Sequence, residues 1–148
     1  MRRGRTFILI GLAAFLFLGF SALLARALSG AGDERAKVLD VLEAQAAGDA
    51  AGVLAELPGC RAQPACAEVM RARVAELQRD GRVEILNYTP SVQVALTRRT
   101  GVGRVAWRAG DSQPVVQCVR VRRDGPLTGG DVELLSISAP IGNEDGCN

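Results

Sequence analysis

The chain opens with a long apolar run, and amphipathic segments follow it. From Phe7 to Ala25, 19 consecutive residues carry no charge. A helix of this length spans about 28 Å, close to the roughly 30 Å hydrocarbon thickness of a bilayer. Because three of the first five residues are arginine, the positive-inside rule places the N-terminus in the cytoplasm and the rest outside. The pattern therefore predicts a transmembrane signal-anchor over residues 1–28.

A cleaved signal peptide is the alternative interpretation. Ala25-Arg26-Ala27 has the small-x-small form of a cleavage site. The apolar core is longer than the roughly 7 to 15 residues typical of a signal peptide, which favours the anchor. Both interpretations export the remaining chain, which is either held in the cell membrane by residues 7–25 or secreted after cleavage near Ala27.

Between residues 29 and 81 the apolar positions recur with a helical period. Residues 29–32 are interpreted as a short linker, and three helices are predicted at 33–47, 49–57 and 63–78. Gly48 suits the end of the first helix and Asp49 the N-cap of the second. The side chains expected to face inward are Ala36, Val38, Leu39, Leu42 and Ala46 in the first helix and Val69, Met70, Val74 and Leu77 in the third.

After residue 81 the apolar positions alternate with a period of two, which is typical of strands. The predicted strands cover residues 82–88, 91–97, 103–108, 115–123 and 132–139. Short turns join them, so we expect antiparallel pairing. The predicted fold class is α+β: a transmembrane helix, then about three helices packed on a curved antiparallel sheet of about five strands. The exported domain is assigned to residues 33–148.

The stretch Ala44-Gln45-Ala46-Ala47-Gly48-Asp49, followed by Val53, Leu54 and Leu57, resembles a helix boundary common in nuclear transport factor 2-like domains. With the order of elements, this resemblance implies a cone-shaped α+β domain over residues 33–140. Several families with this fold place such a domain behind one N-terminal membrane helix. Enzymes and non-enzymes share the fold, so the resemblance leaves the function open.

Four cysteines in an exported domain predict two disulfides. Four cysteines allow three pairings, but Cys60 and Cys66 bracket a short loop and must lie close together. That leaves Cys118 to hold Cys147 near the C-terminus. A metal or thiol-redox site would need a C-x-x-C pair or histidine, and the sequence has neither. We therefore expect structural disulfides, no metal and no cofactor.

Charge and composition exclude several classes of function. The part from Ser29 onward has 14 basic and 16 acidic side chains, which argues against nucleic-acid binding. Histidine is absent, which removes the commonest general base. Glu84 and Glu133 lie on predicted strands and are interpreted as solvent-facing. No motif supports the alternative of an enzyme with a pocket acid of raised pKa, so we expect a non-catalytic protein.

Arginine is concentrated in the later strands. Alternation puts Arg104 with Arg108 on one face of one strand, and Arg120 with Arg122 on one face of the next. If the two faces coincide, the sheet presents four guanidinium groups to an acidic protein or to anionic lipid headgroups. The alternative is a solvated face in a GC-rich bacterium that uses arginine in place of lysine.

The main hypothesis is a membrane-anchored extracytoplasmic module that binds a protein partner in the bacterial envelope, with homodimerisation left open. A second hypothesis is a carrier or sensor that holds a small apolar ligand in the cone. Its candidate pocket residues, which are equally interpretable as filled core, are Val92, Val94, Leu96, Val105 and Trp107.

Overall fold

The computed structural model describes residues 2–90, 99–124, 131–142 and 145–147. In these ranges helices precede strands, and the α+β class is confirmed. The helices are α1 (Arg2–Ala46), α2 (Ala50–Glu56), α3 (Pro58–Arg61) and α4 (Pro64–Leu77). The strands are β1 (Val83–Thr89), β2 (Arg99–Ala109), β3 (Val115–Asp124) and β4 (Asp131–Ile137).

Local sequence signals set the boundary between α1 and α2. Gly48 has a φ of 77°, a left-handed conformation that glycine adopts without steric cost. The Asp49 side chain then caps α2 by accepting a hydrogen bond from the Gly52 N–H at 2.9 Å. Both roles agree with the sequence prediction. Pro58 and Pro64 stand in the first turns of α3 and α4, where a missing N–H costs nothing.

The helical region differs from the prediction in two ways. First, α1 continues through residues 29–32, where a linker is predicted, and α3 is an additional short helix. Secondly, Val69 is 57% exposed and Ala36 is also exposed. The buried stripe of α4 is Ala67, Met70, Val74 and Leu77. Val69 is wrong as an inward residue because it lies about 100° from Met70 around the helix.

Within the part of the chain that the structure describes, no helix is both long enough and apolar enough to span a bilayer. The transmembrane segment expected at residues 7–25 therefore stays a prediction.

The described strands form one antiparallel sheet in the order β1-β2-β3-β4. It has four strands rather than about five, and the expected strand at 91–97 lies outside the described residues. At one end of the sheet, the backbone at Gly81 lies close to the backbone at Gly110. A Cβ added to Gly81 would lie 2.8 Å from the Gly110 Cα. Gly81 also has a φ of 108°, so a glycine is required there.

The helices cover one face of the sheet, which we call the inner face. Its buried side chains include Val105, Trp107, Val119 and Leu134, which pack with Val38, Leu42, Leu57 and Val74 of the helices. The opposite face, which we call the outer face, has none of these helical partners. The sheet thus has one face filled by the core and one face turned away from the described helices.

Both predicted disulfides are present. Cys60 and Cys66 join α3 to α4, with their Cα atoms 5.2 Å apart. Cys118 in β3 is bonded to Cys147, with their Cα atoms 5.6 Å apart. The second bond attaches the C-terminus to the sheet.

Candidate functional site

The strand register brings the four candidate arginines to one face. Residues directly opposite each other in an antiparallel pair share a face. Arg108 lies opposite Glu84, and Arg104 lies opposite Cys118. Arg120 lies opposite Val102, and Arg122 is two residues further along β3. The arginines of β2 and β3 therefore share the outer face.

Two of these arginines already have acidic partners on neighbouring strands. Arg108 Nη2 lies 2.9 Å from Glu84 Oε2. Arg122 pairs with Glu133 of β4, and its Nε lies 3.4 Å from Asp124 Oδ2. Each pair is partly open to solvent, so each contributes about 1 kcal/mol or less to stability. They do reduce the positive charge at the margins of the face.

Arg104 and Arg120 occupy the middle of the face, on the two central strands. Arg104 is half-buried and Arg120 is exposed. They are diagonal neighbours across the pair, because Arg104 faces Cys118 and Arg120 lies two residues beyond it. Arg120 makes no ion pair with any residue in the described ranges.

A buried ion pair on the inner face was not anticipated from the sequence. Glu34 of α1 has no exposed surface. Arg123 Nη2 lies 2.6 Å from Glu34 Oε2, and the Tyr88 hydroxyl donates a hydrogen bond to Glu34 Oε1. Burial, followed by the hydrogen bond and charge of Glu34, raises the pKa of Tyr88. Tyr88 therefore stays protonated near neutral pH and donates its hydroxyl proton to the Glu34 carboxylate.

Three buried polar side chains form a second network. Trp107 Nε1 donates to Gln117 Oε1 at 2.8 Å, and Gln45 Nε2 donates to the same oxygen at 3.1 Å. Gln117 Nε2 donates in turn to the Ser138 carbonyl at 2.8 Å. All three side chains are fully buried. These bonds hold α1, β2 and β3 together at the centre of the core.

Two of the candidate pocket residues lie in the packed core, and one of them, Trp107, belongs to this network. Val105 and Trp107 have no exposed surface and belong to the packed core. The other candidates, Val92, Val94 and Leu96, lie outside the described residues.

The sequence contains a weak indication that Glu34 and Gln45 are buried. Glu34 stands four residues before Val38, and Gln45 stands three after Leu42, so both lie on the apolar stripe of α1. Polar residues on an apolar stripe indicate buried hydrogen bonds or ion pairs. Their partners, however, come from distant strands that the stripe does not identify.

A surface cleft of about 350 Å³ lies between the end of α1 and the start of β1. Glu43, Arg79, Asp80 and Arg82 contribute charges of both signs to its walls. Arg79 donates hydrogen bonds to the Glu76 and Gln78 carbonyls at 2.8 and 2.7 Å. These bonds engage it within the chain, and we assign no ligand to the cleft.

No family model, no curated protein and no solved structure matches the chain. The resemblance to nuclear transport factor 2-like domains stays a prediction, and a functional assignment depends on the geometry above.

Proposed function

We propose that the chain is a non-catalytic, membrane-anchored extracytoplasmic domain of the bacterial envelope that binds an acidic partner protein through the outer face. The observation that carries the proposal is the placement of four arginines on one face that the helices leave uncovered. They are Arg104, Arg108, Arg120 and Arg122. Arginine favours such a surface because its planar guanidinium binds carboxylates with two parallel hydrogen bonds.

The distribution of charge on the outer face supports an interface with a defined centre. The acidic side chains that pair with Arg108 and Arg122 come from the edge strands and the end of β3. Arg104 and Arg120 lie at the middle of the face, on the two central strands. In protein interfaces, binding energy concentrates near the centre and arginine is enriched there. We therefore assign the main contribution to Arg104 and Arg120.

Exposed apolar side chains on α1 support the membrane anchor. Phe15, Leu16, Phe17 and Leu18 are consecutive and are 75%, 63%, 70% and 66% exposed. Four consecutive residues cover about 300° of the circumference of a helix. A groove on a protein covers one side of a helix, whereas lipid surrounds it, so an apolar surface on all sides favours a membrane span. The two disulfides fit an oxidising compartment outside the cytoplasm.

For the fold family we propose a nuclear transport factor 2-like domain. The support is the order of helices followed by antiparallel strands, together with the boundary at Gly48 and Asp49. The alternative function, a carrier of an apolar ligand, stays a prediction. The two candidate pocket residues that the structure describes, Val105 and Trp107, are core residues.

The test uses the full chain in its native membrane, with cross-linked partners quantified by mass spectrometry. We expect the Arg104→Glu/Arg120→Glu variant to lose about tenfold or more of the specific capture, because it places like charges against an acidic partner. Arg71→Glu on the exposed side of α4 is the matched control, and its capture should equal that of the wild type. Circular dichroism verifies that both variants fold. Equal capture by the two variants would remove the outer face from the proposal.

A further inference from the structure

One side of α1 is acidic and faces solvent. Asp33, Asp40 and Glu43 are exposed, and Ala36 is exposed between them. At about 100° per residue, these four positions fall within about 80° of one another around the helix. They lie about 180° from the buried stripe of α1 and therefore point away from the sheet. We call these four residues the acidic face of α1.

The acidic face keeps its negative charge. Its three carboxylates form no ion pair with any residue in the described ranges. The basic residue at its margin is Lys37, whose Nζ lies 3.4 Å from Glu56 Oε2 of α2. Lys37 is therefore directed towards α2, and the acidic face presents carboxylates and a small apolar side chain to solvent.

Two contacts fix the direction of α1 along the sheet. Glu34 pairs with Arg123 near the end of β3, and Gln45 is hydrogen-bonded to Gln117 further back along β3. The two contacts are separated by about 17 Å along α1 and by about 20 Å along β3. The helix therefore runs along β3 in the opposite chain direction. Positions on both elements can be compared by their level, which is the distance beyond the Glu34–Arg123 contact.

The acidic face and the outer face carry opposite charges at matching levels. Asp40 lies at a level of about 9 Å on α1, and Arg120 lies at about 10 Å on β3. Glu43 follows at about 14 Å. Arg104 lies opposite Cys118, whose level on β3 is about 16 Å. The two carboxylates and the two central arginines therefore occur in the same order at nearly the same spacing.

A second copy beside the first would bring these charges together. The helix α1 is continuous from Arg2 to Ala46, so a membrane anchor at its start sets every copy at the same height. The strands run along α1, so the outer face points sideways in the plane of the membrane. The acidic face points sideways in the opposite direction. A copy displaced sideways, with its α1 in the same direction, sets its Asp40 opposite Arg120 of its neighbour.

We propose that the acidic partner of the outer face is a second copy of this chain, which docks through the acidic face of its α1. This inference rests on the proposed function, including the membrane anchor, and names its partner. Guanidinium and carboxylate groups at matching levels can form charge-assisted hydrogen bonds. Because each copy uses a different surface on each side, the contact is heterologous and extends into a ring or a row in the membrane plane.

The experiment measures fluorescence energy transfer between copies of the full chain. Donor-labelled and acceptor-labelled chains are reconstituted together in phosphatidylcholine vesicles, and dilution with lipid gives the affinity of self-association. We expect Arg120→Glu and Asp40→Arg each to weaken self-association about tenfold or more, because each sets like charges against each other. Arg71→Glu and Glu68→Arg make the same charge changes on the exposed side of α4 and should associate like the wild type.

Mixing the two reversed variants tests the pairing itself. The donor is placed on Arg120→Glu and the acceptor on Asp40→Arg, so that each variant meets a complementary surface on the other. We expect the mixture to associate within about threefold of the wild type, because alternating copies restore attraction at every contact. A mixture as weak as either variant alone would overturn the pairing of Asp40 with Arg120.

Neutral variants provide a second test in case a reversed variant does not fold, which circular dichroism reveals. We expect Arg120→Gln and Asp40→Asn each to weaken self-association about threefold, because each leaves one charge of the pair without its partner. The double variant should be no weaker than either single variant, since all three lack the same pair. Additive losses would contradict direct pairing.

The outcomes separate this inference from the proposed function. A wild type that does not self-associate, or self-association that charge reversal leaves unchanged, would overturn the docking of a second copy. If Arg104→Glu/Arg120→Glu still reduced the capture of a different protein in the native membrane, the proposed function would stand. Loss of charge dependence in both assays would overturn both proposals.

Discussion

Glu34 is a carboxylate without exposed surface whose partners Tyr88 and Arg123 follow it by 54 and 89 residues. A charge in this position is stable only while its partners remain, because an unpaired buried charge has lost its hydration. The pair joins α1 to the ends of β1 and β3. At the residue scale, we expect this contact to be sensitive to substitution, because Glu34 is buried and would lose its charged partner.

We expect Arg123→Gln to lower the free energy of unfolding by about 3 kcal/mol, because it leaves the Glu34 charge buried without its guanidinium. Adding Glu34→Gln should restore part of this loss, so the two substitutions will not be additive. The measurement is guanidinium unfolding of the full chain in detergent, followed by Trp107 fluorescence. Lys37→Gln is the control, as it breaks the exposed 3.4 Å pair with Glu56 and should cost about 1 kcal/mol or less. Additive effects of the two substitutions would contradict direct pairing.

The ionisation of Tyr88 can be measured directly, because Tyr88 is the only tyrosine in the sequence. Its pKa is raised by burial and by Glu34, so the folded protein keeps the phenol proton at a pH where the unfolded chain loses it. Stability from this group is complete below about pH 10 and decreases as the pH rises above it. We expect no tyrosinate absorbance at pH 10 to 11 until the protein unfolds. Tyr88→Phe should remove part of this pH dependence, and a tyrosinate signal from folded wild type near pH 10 would refute the buried hydrogen bond.

At the scale of elements, helix boundaries follow local rules and longer-range features do not. Gly48 and Asp49 act as their residue types predict, because a left-handed turn and a side-chain cap involve only nearby backbone. The continuity of α1 through residues 29–32 was not predicted. A glycine inside a helix costs only about 1 kcal/mol relative to alanine. Flanking helical residues can offset that cost, so glycines there do not specify a linker.

The cap at Asp49 can be tested in isolation. We expect Asp49→Ala to lower the unfolding free energy by about 1 kcal/mol, since the Gly52 N–H would lose its acceptor. Asp40→Ala, at an exposed position in α1, should change it by about 0.5 kcal/mol or less. Chemical denaturation measures both. Similar changes in unfolding free energy for the two variants would show that the capping hydrogen bond of Asp49 adds no stability.

The sheet illustrates the same division between local and distant information. Alternation predicts which residues of one strand share a face, and it placed Arg104 with Arg108 and Arg120 with Arg122. Whether those two faces coincide depends on the register between β2 and β3. The register is set by which apolar side chains meet the helices. Only pairing across the sheet brings the arginines together.

For the whole molecule, charge totals and charge placement carry different information. The sequence from Ser29 onward is slightly acidic, which argues against a generally basic surface. The structure separates the charges, with arginines on the central strands and their acidic partners towards the margins. Because the net charge is small, the positive charge is a local feature of the central strands and not of the whole surface.

The sequence by itself determined the α+β order, the boundary at Gly48 and Asp49, and the two disulfides, because each depends on local periodicity, backbone preference or a small number of pairings. The tertiary structure decided the burial of Glu34, the hydrogen bonds of Gln117 and the meeting of the arginines on the outer face. These features join residues far apart in the chain, and their positions follow from packing, which a pattern along one segment does not contain.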